Sequence, residues 1–266
     1  MMMTTMSAEN AILAGNGGTG EKQLSFWKAL QLQLTPGLAN IMIFLPSAWL
    51  LHQAGLPVMF ALALAILFGE VPVAWWIMIR RTRAEQGSFS FKAAFPWARA
   101  LRLRSYVLLG VPIVLVSMVL MMTGLMVVSP QIQQSFFPFI PEWMHMVQSP
   151  EELAEMPTSV LWAMFGVSLL VFALIGGGTQ ELYSRGFLLP RMAHFGAKAP
   201  VLNALFFAML HLAAPWGWPI FFLTSLIWAT AVWRTRSIKI GLFGHVGMLF
   251  VQLLMLGSLI IFSPAG

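Results

Sequence analysis

From residue 29 to residue 69 the chain carries no charged side chain. A bilayer crossing takes about 20 apolar residues, so this run is long enough for two. His52, Gln53, Gly55 and Pro57 divide it, which predicts spans at about 32–51 and 57–79. The whole chain is similar in character, with 59% hydrophobic and 9% charged residues, against about 25% charged in soluble domains. A soluble fold of this composition would have no polar surface to show to water. In lipid, backbone N–H and C=O groups find no solvent partner, so a spanning segment must satisfy its own hydrogen bonds as a helix. The expected fold class is therefore all-α, a polytopic transmembrane helix bundle.

The remaining spans follow the same logic. Apolar segments at 106–128, 199–214, 217–233 and 240–262 each predict a crossing. Another begins near Thr158 and reaches Gly176–Gly178, with the helix continuing, kinked, to about His194. The count is seven, or eight if 179–194 is a separate segment. Residues 80–104 hold seven of the 15 basic residues, and basic loops stay in the cytoplasm. Residues 129–157 carry Glu142, Glu151, Glu152 and Glu155 and no Lys or Arg, so that loop is expected outside. The N-terminus is then inside and the C-terminus outside. Residues 1–28 read as a disordered tail without the basic-then-apolar pattern of a signal peptide. Residues 29–154 form the N-terminal spans and 155–266 a second unit. Within loop 80–104, Phe89, Phe91, Phe95, Trp97 and Leu101 alternate with basic residues, as in an interfacial helix or a loop pressed on the headgroups. The net charge of +6 follows the ends of the spans, so the bilayer, not nucleic acid, is the expected partner.

The chain has no Cys, and all nine acids are Glu. This excludes disulfides, thiolate metal sites, a Cys nucleophile and an aspartyl dyad. No His begins an HExxH zinc motif. Ser184 has no surroundings that mark a nucleophile. A charge at mid-membrane costs several kcal/mol, which singles out Glu70, Glu181, Arg185, His211 and His245. With a rise of about 1.5 Å per residue, Glu181 lies about 20 Å from the expected cytoplasmic end of its helix, His211 about 18 Å and His245 about 9 Å. Glu181 and Arg185 are four apart and share a face. The bland readings are a structural ion pair, interhelical hydrogen-bonding imidazoles, and a Glu70 bonded within the bundle or facing a water-filled cavity. The sharper reading joins two His and one Glu in a water-activating or metal site.

Three motifs favour the sharper reading. Residues 179–192 read Thr-Gln-Glu-Leu-Tyr-Ser-Arg-Gly-Phe-Leu-Leu-Pro-Arg-Met, which resembles EExxxR with its Leu-Leu-Pro-Arg tail. Residues 207–211, Phe-Ala-Met-Leu-His, match FxxxH. Residues 233–245 run into Gly-His245 as in HxxxN. In this order, on consecutive apolar spans, they resemble the CPBP family of intramembrane proteases over residues 155–262. That family includes the CAAX prenyl endopeptidases and bacterial proteins linked to bacteriocin self-immunity. The resemblance implies a membrane-associated peptide or protein substrate and a bacterial inner-membrane location. It implies a catalytic set at Gln180, Glu181, Arg185, His211 and His245. Its two His would hold a water, an oxyanion or a metal, so His211 and His245 are candidate ligands for a divalent ion such as zinc. Two His alone are too few ligands to assert one.

Two positions depart from the pattern. The family's first Glu, taken as general base, is Gln180 here, and its Asn is Leu249. An amide cannot accept a proton at neutral pH, and Leu249 offers no hydrogen bond. Three readings stand: a non-peptidase that keeps the fold, a Gln180 substituted to trap a state, or Glu181 serving as base. Position 181 lies about 100° around the helix from 180, which argues against direct replacement. The functional expectation is an intramembrane endopeptidase, or a degenerate member, working in a cavity lined by Glu181, His211 and His245. The alternatives are an immunity, binding or scaffold protein of the same fold, or a proton-coupled transporter.

Overall fold

The structure, a computed structural model, describes residues 22–144 and 155–262. Residues 1–21 of the expected tail, and Glu151 and Glu152 of the expected outer loop, lie outside the described residues. Among the described residues six helices are long and apolar enough to cross a membrane: α1 (Phe26–Gln53), α2 (Met59–Gln86), α3 (Leu103–Phe136), α4 (Thr158–Arg191), α5 (Ala193–Leu210) and α6 (Pro215–Thr235). A seventh, α7 (Ile238–Phe262), is apolar too. The chain is thus a multi-pass helical membrane protein, as its composition requires. Its polarity is inverted relative to a soluble protein. Met42, Leu108 and Val119 are exposed, whereas Glu181, Arg185 and Arg191 are fully buried.

Several boundaries differ from the sequence reading. α1 starts at Phe26, capped by the Ser25 hydroxyl, which accepts from the Lys28 N–H. Leu24 is already buried and donates its N–H to the Arg191 carbonyl. Leu24 and Phe26 therefore pack on the bundle, and Phe26–Lys28 belong to α1 and not to a tail. α3 runs through Pro130 to Phe136, eight residues beyond the expected end at 128, with a π-helical turn, Gly124–Val128, just ahead of the proline, where local changes of pitch accommodate the missing N–H. α4 is unbroken to Arg191, so 179–194 is no separate span. It changes pitch instead, with π-helical turns over Ser168–Gly177 and Leu182–Leu188. α5 ends at Leu210, not 214. Its regular part, Ala199–Leu210, has 12 residues and rises about 18 Å, and the tighter turns of Ala193–Lys198 supply the rest of the span.

The basic segment folds back over one end of the bundle. α2 ends at Gly87, whose φ of 78° closes the helix through a left-handed residue. A single turn, Phe91–Ala94, follows, capped by Ser90. Phe95 is buried against Gly186 of α4, where a Cβ would sit 2.9 Å from its ring. The Trp97 carbonyl accepts from the Ile238 N–H at 2.7 Å, and the Arg236 guanidinium lies over both the Trp97 and Trp233 rings at 4.0 and 4.2 Å. Beneath this cap, Arg191 of α4 pairs with Glu85 of α2 at 2.8 Å. Between α2 and α3 the described residues form no helix longer than that single turn, so the loop is not an interfacial helix; Phe95 is buried, Phe89, Trp97 and Leu101 are half-buried, and Phe91 is exposed.

Candidate functional site

α4 carries two adjacent polar residues that point to different neighbours. Gln180 lines a cavity of about 210 Å³ shared with Glu70, His211, His245 and Leu249. Glu181 does not line it. Its side chain is fully buried behind His245, with Oε1 3.1 Å from His245 Nδ1 and 3.0 Å from Arg185 Nη1. Its other oxygen, Oε2, has no partner among the described residues and faces Gly241, where a Cβ would approach to 2.6 Å. The expectation of a cavity lined by Glu181 is corrected accordingly. About 100° per residue turns one side chain inward and the other into the α4–α7 contact.

His245 is oriented from two sides. A carboxylate only accepts, so Nδ1 carries the hydrogen that goes to Glu181, and Nε2 is left as the free ring nitrogen. The ring stacks on Trp228 of α6 at 4.2 Å and 16°. Trp228 is itself fixed by its indole N–H, which donates to the Ser117 hydroxyl of α3 at 2.9 Å.

His211 sits where α5 stops. Its backbone leaves the helix (φ −79°, ψ 62°), and its Nδ1 donates to the Phe207 carbonyl one turn back at 3.0 Å. Its own carbonyl accepts from the Trp218 indole at 3.0 Å. Here too Nε2 is the nitrogen left over. A ring nitrogen tied back to a carbonyl or carboxylate is the usual way of fixing an imidazole's tautomer and direction. Both imidazoles pack edge-on against Phe207, at centroid distances of 4.9 and 6.0 Å. Arg185 lies over the same ring at 3.8 Å and donates to the Ser225 hydroxyl. The structure thus brings together Gln180, His211 and His245 at the cavity, with Glu181 and Arg185 behind them. Ser184 faces elsewhere, accepting from Gln33 at 2.9 Å.

Glu70 is hydrogen-bonded within the bundle, as expected, and it also lines the cavity. It ends a π-helical turn of α2, Ile66–Glu70. Its Oε1 accepts from Gln180 Nε2 at 2.7 Å, and its Oε2 accepts from Asn40 Nδ2 of α1 at 3.1 Å. The cost of an acid in an apolar span was visible in the sequence. Its partners, 110 and 30 positions away, were not.

The two imidazoles have the tied-back form of metal ligands. Among the described residues, however, no group of three His, Cys, Asp or Glu could hold an ion. A catalytic zinc uses three protein ligands. The side chains present do not fit one, and no chemical step is assigned to a metal.

Residues 160–251 match the family model described as Type II CAAX prenyl endopeptidase Rce1-like. The match supports a CPBP-family, protease-like membrane protein. It covers the three motifs, all the cavity residues from α4 to α7, and neither Asn40 nor Glu70. The likeness to that family thus spans 92 of the 266 residues, all within the C-terminal helices. No curated protein and no solved structure matches it.

Proposed function

We propose that this CPBP-like protein is an intramembrane endopeptidase that cleaves a membrane-associated peptide by water addition inside the cavity between α2, α4, α5 and α7. The observation that carries the proposal is the pair of imidazoles from separate helices, each with Nδ1 tied back, sharing one cavity with Gln180. A cavity of about 210 Å³ has room for several waters at about 30 Å³ each in the liquid. The two Nε2 atoms can each accept a hydrogen from such a water and hold it beside a peptide carbonyl. Glu181 and Arg185 act on His245 from behind, as positioning residues. The basic end of the bundle faces the cytoplasm, by the distribution of Arg and Lys.

The test works without an identified substrate. Full-length protein in lipid nanodiscs is incubated with a proteolytic digest of a membrane proteome, and new peptide termini are read by mass spectrometry. An internally quenched peptide ending in a farnesylated Cys-Ala-Ala-X sequence is run in parallel, because the matched family is described as prenyl endopeptidases. Termini made by the wild type and absent with His211→Ala and His245→Ala support the reading. A wild type that generates none overturns it in favour of a non-catalytic protein of the same fold.

A further inference from the structure

Resting on that reading, we infer that Glu70 is the catalytic base of this chain, the carboxylate having been supplied by α2 where the motif on α4 has lost it. Gln180 stands where the motif calls for a carboxylate, and its amide cannot take up a proton. Within 2.7 Å of that amide stands the carboxylate of Glu70. It lines the same cavity as both imidazoles, and among the described residues it is the only Asp or Glu that does. Each of its oxygens accepts one amide N–H, from Gln180 and from Asn40. A carboxylate oxygen has two lone pairs, so each keeps one that can accept from a water.

The local backbone is built to deliver this group. The π-helical turn Ile66–Glu70 shifts the register of α2 immediately before it. Gly69 lets α2 approach α1 so closely that a Cβ would lie 2.6 Å from the Ala39 carbonyl oxygen. That approach sets Glu70 beside Asn40.

The step balances without a co-reactant. One hydrogen of the attacking water points to an imidazole Nε2 and the other to Glu70. Glu70 takes its proton as the water oxygen bonds to the peptide carbonyl carbon. The oxyanion so formed accepts the second N–H of Gln180, which the Glu70 contact leaves free because an amide has two such hydrogens. The C–N bond then breaks, and the departing nitrogen takes the proton from Glu70. Water and peptide become an acid and an amine, and Glu70 ends as it began.

The experiment uses the full-length protein in nanodiscs, with a quenched version of a peptide that the wild type cuts. General-base removal costs about 100-fold or more in rate, and Glu70→Gln, which keeps the side-chain shape, is expected to lose that much. Two rescues separate a base from a merely structural carboxylate. The exchange Glu70→Gln with Gln180→Glu restores the carboxylate on the other helix, and formate added to Glu70→Ala restores it in solution. Each is expected to raise the rate about tenfold or more above its parent, a part of what the base supplies. Thermal unfolding midpoints report whether each variant folds. If Glu70→Gln keeps wild-type cleavage while His245→Ala abolishes it, the assignment of Glu70 is overturned and the peptidase reading stands. If Glu70→Gln is dead and neither rescue works, the carboxylate is structural and the assignment is again overturned. A wild type that cuts nothing removes both.

Discussion

Glu181 and Gln180 are neighbours in sequence, yet one is sealed behind an imidazole and the other faces the cavity. The motif alone could not assign those roles, because it records spacing and not which face meets which helix. Two consequences can be measured at this scale. Gly241 leaves the space that Glu181 Oε2 occupies, since a Cβ there would come within 2.6 Å of that oxygen and 2.8 Å of Val232. Gly241→Ala is expected to lower stability by about 1–3 kcal/mol through overpacking. It should also cut turnover further than that loss explains, by turning Glu181 away from His245; unfolding midpoints and cleavage rates on one preparation check this. Arg185→Met removes the guanidinium from the Glu181 carboxylate and leaves it the His245 hydrogen bond. Losing one partner of a buried ion pair costs about 3–5 kcal/mol, and the expected result is a sharply lowered midpoint. Of the site itself, His211, His245 and the Glu181–Arg185 pair were legible from their cost in lipid. Asn40 and the stack on Trp228 were not, because an uncharged amide and an indole in an apolar span raise no flag.

At the level of the helices, the sequence was legible wherever hydropathy changed and illegible wherever it did not. Span centres came out of the apolar runs. The end of α3 did not, because Ser129-Pro130 looks like a break while the backbone carries on as helix; α4 does continue through the polar first motif, to Arg191, close to its expected end. α5 misled in the opposite direction. Apolar sequence continues past Leu210, but the helix ends there, and that early end is what frees His211 to cap it. The contact between α1 and α2 offers a test at this scale. Gly69→Leu forces side-chain atoms against the Ala39 backbone, which cannot move aside as a flexible side chain can. The variant is expected to be destabilised by about 1–3 kcal/mol or more, and to lose the Asn40–Glu70 contact with a matching loss of cleavage; a Gly69→Ala comparison in the same assays grades the effect.

For the whole molecule, the inverted polarity and the placing of seven of 15 basic residues in one loop were readable from composition. That the loop folds back as a cap was not, because its closing contacts join Trp97 to Ile238 and Arg236, residues far apart in the chain. The absence of Cys makes orientation simple to measure. Single variants Ser88→Cys and Ser135→Cys, both at exposed positions, are treated with a membrane-impermeant maleimide on intact cells. Ser135→Cys is expected to label from outside, and Ser88→Cys only after permeabilisation; the reverse pattern would invert the proposed topology.

Phe207 is a shared contact of the two imidazoles. Both rings meet it at a steep angle, and a guanidinium lies over it. A hydrocarbon plate neither gains nor loses a proton, and salt does not soften it. Acidity can therefore alter what the ring nitrogens carry without altering the surface on which both of them rest.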